Sequence, residues 1–120
     1  MIKIKIYHNP RCSKSRQALQ IIRDHGYEPE VIEYLKYPLS KTELESISQS
    51  LGMRPKEFVR KNESEFKDNN IGEKLEDDDL FEAMSNFPKI IERPIIISDI
   101  GAVIGRPPEN VLKVLNKQSI

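Results

Sequence analysis

Isoleucine and lysine alternate over Ile2-Lys3-Ile4-Lys5-Ile6, with Tyr7 closing the run. A two-residue period of β-branched and charged side chains predicts a strand over 2–7 with one buried face. His8-Asn9-Pro10-Arg11 breaks the alternation as a turn, because proline fixes φ and carries no N–H. From Cys12 or Ser13 the period lengthens. Ala18, Leu19 and Ile22 fall on one helical face, and His25-Gly26 ends the helix with glycine in the C′ position. Glu30 to Tyr34 predicts a second strand, so the opening third is strand, helix, strand, the pattern of a right-handed parallel crossover.

The middle predicts helices. Ser40 and Glu43 form a capping box ahead of Leu44, Ile47 and Leu51, and Gly52 stops that helix. Pro55 opens a short one with Phe58 and Val59 inward. Residues 61–76 are polar and broken by Asn-Asn and Ile-Gly, and predict loops and turns. The run Asp77-Asp78-Asp79 starts a helix that aligns Leu80, Met84 and Phe87. Arg93-Pro94 then leads into a strand over Ile95–Ile97, a turn over Asp99–Gly101 and a return strand over Ala102–Ile104. Gly105-Arg106-Pro107-Pro108 ends the hairpin, and a last helix turns Val111, Leu112 and Leu115 inward. The order βαβ, helices, ββα predicts an α/β fold with a parallel pair and a hairpin in one mixed sheet. That is the thioredoxin-like order, with a helical insertion over about 40–88.

Composition narrows the picture. With 120 residues the chain is expected to be one domain, 1–120. Four Phe, four Tyr and no Trp leave the core to Ile, Leu and Val. Nineteen basic residues balance nineteen acidic ones, which argues against a nucleic-acid binder. One cysteine cannot form an internal disulfide, and this favours a reducing compartment. The alternating lysines of the first residues do not form a signal-peptide core, and no stretch approaches the roughly 20 apolar residues of a membrane span. A cytoplasmic protein is expected. One Cys and two His, with His8 and His25 at opposite ends of one helix, do not make a zinc site.

The chemistry centres on Cys12, flanked by Arg11, Ser13, Lys14, Ser15 and Arg16. Free cysteine is usually a packing residue, but these neighbours do not resemble a core strip. A cysteine at a helix N-terminus meets unpaired N–H groups and partial positive charge, both favouring thiolate over thiol. The same N–H groups can cradle an oxyanion. A phosphatase-type loop needs arginine six positions after the cysteine, and that position is Ala18. Cys12-Ser13-Lys14-Ser15 instead fits the single-thiol form, C-x-x-S, of the glutaredoxin type.

Tyr7-His8-Asn9-Pro10-Arg11-Cys12-Ser13-Lys14-Ser15-Arg16 resembles the active-site signature of the glutaredoxin-dependent arsenate reductase family. The likeness runs over essentially the whole chain. It includes Glu33-Tyr34-Leu35-Lys36-Tyr37-Pro38-Leu39, Val59-Arg60-Lys61-Asn62, Glu92-Arg93-Pro94-Ile95 and Gly105-Arg106-Pro107-Pro108. The resemblance implies Cys12 as catalytic thiol, Arg60, Arg93 and Arg106 as oxyanion holders, and His8 and Ser15 as auxiliaries. It also implies a cis bond before Pro94. Three guanidinium forks suit a tetrahedral oxyanion, although sequence chemistry alone does not choose these three among nineteen basic residues. By the same resemblance, Cys12 attacks arsenate and displaces water. Glutathione, a co-substrate, then attacks the adduct, glutaredoxin removes the glutathione, and arsenite leaves. No bound cofactor is implied, and neither nucleic acid nor membrane is a partner.

Position 13 is serine where the well-studied arsenate reductases carry glycine, so the motif leaves the physiological oxidant open. Two other functions stay in view. An Spx-like redox regulator would share the fold and bind RNA polymerase, but those proteins carry C-x-x-C as a disulfide switch, and position 15 is serine. A general glutathione-linked thiol reductase would use the same thiol on mixed disulfides.

Overall fold

A computed structural model describes residues 3–68 and 76–115. The chain divides into two compact units, Met1–Tyr34 with Arg93–Ile120, and Leu35–Glu92. The inner unit takes in the helices read over about 40–88 together with residues on both flanks, which hydrogen bonds tie to it. Val59 bridges Ile91, Glu92 N–H donates to Phe58 O at 2.9 Å, and Ser85 Oγ–H donates to Leu39 O at 2.6 Å. These bonds draw residues on both flanks into the inner unit.

The outer unit is a mixed sheet with a helix. Its elements are β1 (Ile4–Tyr7), α1 (Ser13–Asp24), β2 (Glu30–Ile32), β3 (Ile95–Ser98) and β4 (Ala102–Ile104). The spatial order is β2-β1-β3-β4. β1 runs parallel to β2 with Ile6 opposite Val31, and antiparallel to β3 with Ile6 opposite Ile96. β3 and β4 form the antiparallel hairpin, with Ile96 opposite Val103. The sheet is the thioredoxin-like one read from the sequence. β2 ends at Ile32, two residues short of the run to Tyr34. Ile2, the first residue of the expected strand, lies outside the described residues.

The core of this unit follows from two periods. Ile4 and Ile6 alternate along β1, and Ala18 and Ile22 are one helical turn apart on α1. They pack with Ile96, Val111, Val114 and Leu115. Burying a branched side chain of this size contributes about 1.5–3 kcal/mol, and this cluster is what holds α1 to its sheet. Gly26, at φ 85°, ends the chain's helical path after α1.

The closing element differs from expectation. Pro108–Val114 is a 3-10 helix, not an α-helix. Pro108, Val111 and Val114 are buried, a three-residue repeat that matches three residues per turn. Leu112, expected inward, is therefore turned out and 40% exposed. Ser98 Oγ–H donates to Val114 O at 2.7 Å and Tyr27 O–H to Leu115 O at 2.9 Å, satisfying carbonyls at the helix end.

The inner unit is helical. α2 (Lys41–Leu51) begins at a complete capping box: Glu43 N–H donates to Ser40 Oγ at 3.1 Å and Ser40 N–H to Glu43 Oε1 at 3.2 Å. Gly52, at φ 67°, closes it in the left-handed region. A 3-10 turn covers Pro55–Glu57, with Phe58 and Val59 buried after it. α3 (Ser64–Asp68) lies in the stretch read as loops and turns; the polar composition hid it, and Phe66 is its buried anchor. The Asn-Asn and Ile-Gly breakers of that stretch lie outside the described residues. α4 (Asp77–Asn86) buries Leu80, Phe81 and Met84, while Phe87 is its half-buried C-cap, and a 3-10 turn over Pro88–Ile90 follows. The acidic start of α4 is paired: Arg54 donates twice to Asp77, at 3.0 and 2.9 Å, and Lys41 Nζ lies 2.6 Å from Asp78. The Arg54 hydrogen bonds hold the Asp77 carboxyl below the usual carboxylate range. Among the described residues no helix is long and apolar enough to cross a membrane.

Candidate active site

The loop between β1 and α1 is built by its own backbone. Cys12 N–H donates to Asn9 O at 3.0 Å, and Arg11 N–H donates to Asn9 Oδ1 at 3.0 Å. Arg16 Nη1 reaches back to Pro10 O at 2.8 Å. Pro10 could not donate a bond, so the loop closes through its neighbours. Cys12 is thereby set as the N-cap of α1, in extended geometry, and Arg16 N–H donates to its carbonyl at 3.0 Å. Its thiol is half-buried and makes no side-chain cap bond.

Ser15 and His8 form a buried pair beneath this loop. Ser15 Oγ lies 2.6 Å from His8 Nδ1 and accepts from Asn9 N–H at 3.1 Å. Ser15 is 0% exposed and His8 only 6% exposed. Burial pushes the His8 pKa below its ordinary value; nearby Glu33 opposes this, while Arg23 and Arg16 add to it. Neutral imidazole is favoured, and either tautomer completes the bond to Ser15. Ser15 thus spends its hydroxyl on His8 and Asn9.

Arg106 comes to the thiol from the far end of the chain. Its Nη2 lies 3.4 Å from Cys12 Sγ, and its Nε–H donates to Arg93 O at 2.7 Å. Arg93 and Arg106 are therefore joined through one backbone carbonyl. Arg93 Nε is buried and has no hydrogen-bond partner among the described residues. A buried N–H without an acceptor is costly, and an acceptor supplied by a bound oxyanion would satisfy it. The Arg93–Pro94 and Arg106–Pro107 peptide bonds are both cis.

Gly105 lets the two loops meet. Its N–H donates to Pro94 O at 2.8 Å. A Cβ at Gly105 would sit 2.8 Å from Pro94 Cγ, 3.1 Å from Ile96 Cδ1 and 3.3 Å from Ala18 Cβ. In the sequence Gly105 marks the end of the hairpin; its close approach to Pro94 is decided by the tertiary structure.

Arg60 belongs to the inner unit, where it leads out of the bridged Val59. Its Nη1 donates to Glu63 Oε2 at 3.1 Å, and its Nε lies 3.7 Å from Glu92 Oε1. Among the described residues no group of three or more His, Cys, Asp or Glu could hold a metal ion.

The sheet order and a lone thiol capping the first helix, faced by an arginine from the loop after the hairpin, define a thioredoxin-like single-thiol protein. Comparison with known proteins names the family. The family model described as "ArsC family" matches residues 7–114, and the chain belongs to the ArsC family. It is 43% identical over 115 residues to the uncharacterized protein YfgD of Escherichia coli (strain K12), covering 94% of this chain and 97% of that one. It is 38% identical over 113 residues to the arsenate reductase of Rhizobium meliloti (strain 1021), covering 93% of this chain and 81% of that one. Among solved structures, arsenate reductase from Vibrio cholerae matches with TM-score 0.91 and 43% identity, over 95% of this chain and 98% of that one.

Proposed function

We propose that this protein is an arsenate reductase that uses Cys12 as its nucleophile and takes its electrons from glutathione and glutaredoxin. The observation that carries the reading is the pairing of the Cys12 sulfur with Arg106 at 3.4 Å, at the N-terminus of α1. An anionic nucleophile and an anionic substrate repel; a guanidinium and a helix N-terminus at the same point offset that repulsion. Arg93, tied to Arg106 and bearing a buried unpartnered Nε, is the second anion holder. Arg60 joins this set on its motif alone. His8 and Ser15 serve as auxiliaries by fixing the loop that presents the thiol.

The proposed reaction balances with two external thiols. The Cys12 thiolate attacks arsenic and a water leaves, so the arsenic is still pentavalent in the adduct. Glutathione attacks the arsenic of the adduct and a second water leaves. A glutaredoxin thiol then attacks the glutathione sulfur, and the bond from that sulfur to arsenic breaks with its electron pair left on arsenic, which becomes trivalent. One water cleaves the Cys12–arsenic bond to free arsenite. Arsenate and two thiols thus become arsenite, one disulfide and one water, and Cys12 is regenerated. The chain has no second cysteine to act as internal reductant, which supports an external one. The same count supports a reducing compartment, and we place the protein in the cytoplasm. It also disfavours a disulfide-switch regulator, since Ser15 stands where such a switch needs a thiol.

The decisive experiment is arsenate reduction coupled to glutathione, glutaredoxin and glutathione reductase. Turnover by the wild type that vanishes in Cys12→Ser is expected. A folded wild-type protein that turns over a glutathione mixed disulfide but not arsenate would sink the arsenate assignment and favour the general thiol reductase.

A further inference from the structure

The side-chain amide of Asn110 donates to two carbonyls of the loop that carries Arg106: Arg106 O at 3.0 Å and Ile104 O at 3.3 Å. These carbonyls flank Gly105. Arg106 N–H donates to the same Ile104 carbonyl at 2.9 Å, so the loop is drawn tight at that point. Asn110 is itself anchored: its N–H donates to Pro107 O at 3.0 Å, and it lies in the 3-10 helix whose Pro108, Val111 and Val114 are buried. A chain of contacts therefore runs from the core through that helix to Asn110 and on to the loop. At its end, Arg106 Nε meets Arg93 O and Nη2 meets Cys12 Sγ.

We propose that Asn110 is a positioning residue for Arg106, holding the loop so that the guanidinium stays aimed at the Cys12 sulfur. A primary amide suits the place because it offers two N–H donors without charge. Aspartate is the same size but presents only acceptors, which repel the two carbonyls. Alanine leaves the loop without either bond. An arginine side chain has many rotamers, so its tip is only as well placed as the backbone beneath it. The proposal rests on Cys12 and Arg106 acting as the reacting pair, and holds whichever oxidant the thiol meets.

The test is the rate at which iodoacetamide alkylates Cys12 at neutral pH, which needs no arsenate. Wild type, Asn110→Ala, Asn110→Asp, Arg106→Ala and the Asn110→Ala/Arg106→Ala double variant are compared, each with a thermal melt. The sulfur attacks as an anion and Arg106 Nη2 is its hydrogen-bond partner at 3.4 Å, so losing the aimed guanidinium slows alkylation. Asn110→Ala and Asn110→Asp are each expected to slow the reaction by about three- to tenfold. The double variant is expected to match Arg106→Ala alone, because no guanidinium remains to be aimed. A wild-type rate in Asn110→Ala, or the same fold-loss in both Arg106 backgrounds, overturns the proposal and leaves Asn110 a structural residue. If Asn110→Ala melts below the assay temperature, Asn110→Gln and Asn110→Asp carry the comparison. Gln keeps both donors and is expected to react faster than Asp; equal rates overturn the proposal. Wild-type arsenate turnover, measured alongside, tests the substrate assignment separately.

Discussion

Arg106 Nη2 stands 3.4 Å from Cys12 Sγ although 94 positions separate the two residues in the chain. Cys12 is tied to α1 through its backbone carbonyl, which accepts from Arg16 N–H, while its sulfur meets a guanidinium that local sequence does not contain.

Arg106→Ala is expected to lower kcat/KM for arsenate by about 10- to 100-fold, the range for a lost charge-assisted hydrogen bond. Arg106→Lys recovers only part of this. A single ammonium keeps the charge but has no planar fork to meet Arg93 O and Cys12 Sγ together. Steady-state kinetics in the coupled assay, with melts to confirm folding, check both variants. A lysine variant equal to wild type would contradict the fork argument.

Gly105→Ala adds a methyl where Pro94 Cγ is only 2.8 Å away. The clash falls on a rigid proline ring, with Ile96 Cδ1 at 3.1 Å and Ala18 Cβ at 3.3 Å beside it, and the bond from Gly105 N–H to Pro94 O holds the two loops together against it. The variant is expected to lose about 1–3 kcal/mol of stability. Urea unfolding checks it, and an unchanged midpoint would mean the loops part at little cost.

His8 predicts a pH dependence of stability. Its pKa is lowered in the folded protein, chiefly by burial. As pH falls below about 6.5 the unfolded chain takes up a proton that the folded one resists. Stability is therefore full above that pH and declines as pH falls toward the folded value. Thermal midpoints between about pH 7.5 and 5 are expected to fall for the wild type and to fall less for His8→Gln. Parallel profiles for the two proteins would assign the slope to other groups.

Ser40→Ala removes one half of the capping box at α2 and leaves Glu43 N–H without its side-chain acceptor. A loss of about 1 kcal/mol is expected, with Ser40→Asp close to wild type, since an aspartate also accepts at an N-cap. Chemical denaturation of the three proteins measures it.

Features legible in the sequence were those governed by neighbours a few residues apart. The capping box at Ser40 and Glu43 and the helix stops at Gly26 and Gly52 are local chemistry, and they stand in the structure as read. The strand and helix order sufficed for the mixed sheet, because crossovers and hairpins leave few topologies open. Errors arose where period or composition misled. Val111 and Leu115 are buried as an α-helical face would have them, but Leu112 is not: within Pro108–Val114 burial follows 108, 111 and 114, the three-residue period of a 3-10 helix. Residues 64–68 are mostly polar, and Phe66 alone marks their helix as anchored.

The placement of Cys12 at a helix N-cap is written in its own neighbourhood: an alternating strand, a proline turn, then a helical period. The company it keeps is not. Nothing in the residues around 106 says that this arginine meets residue 12, and only the resemblance of motifs singled it out. Tertiary structure decides that meeting. β1 pairs with β3, β3 with β4, and the loop after β4 is folded back by Gly105 onto Pro94 and held there by Asn110. Strand pairing and core packing bring distant residues together by burying surface they share, and such contacts leave no mark on local periodicity.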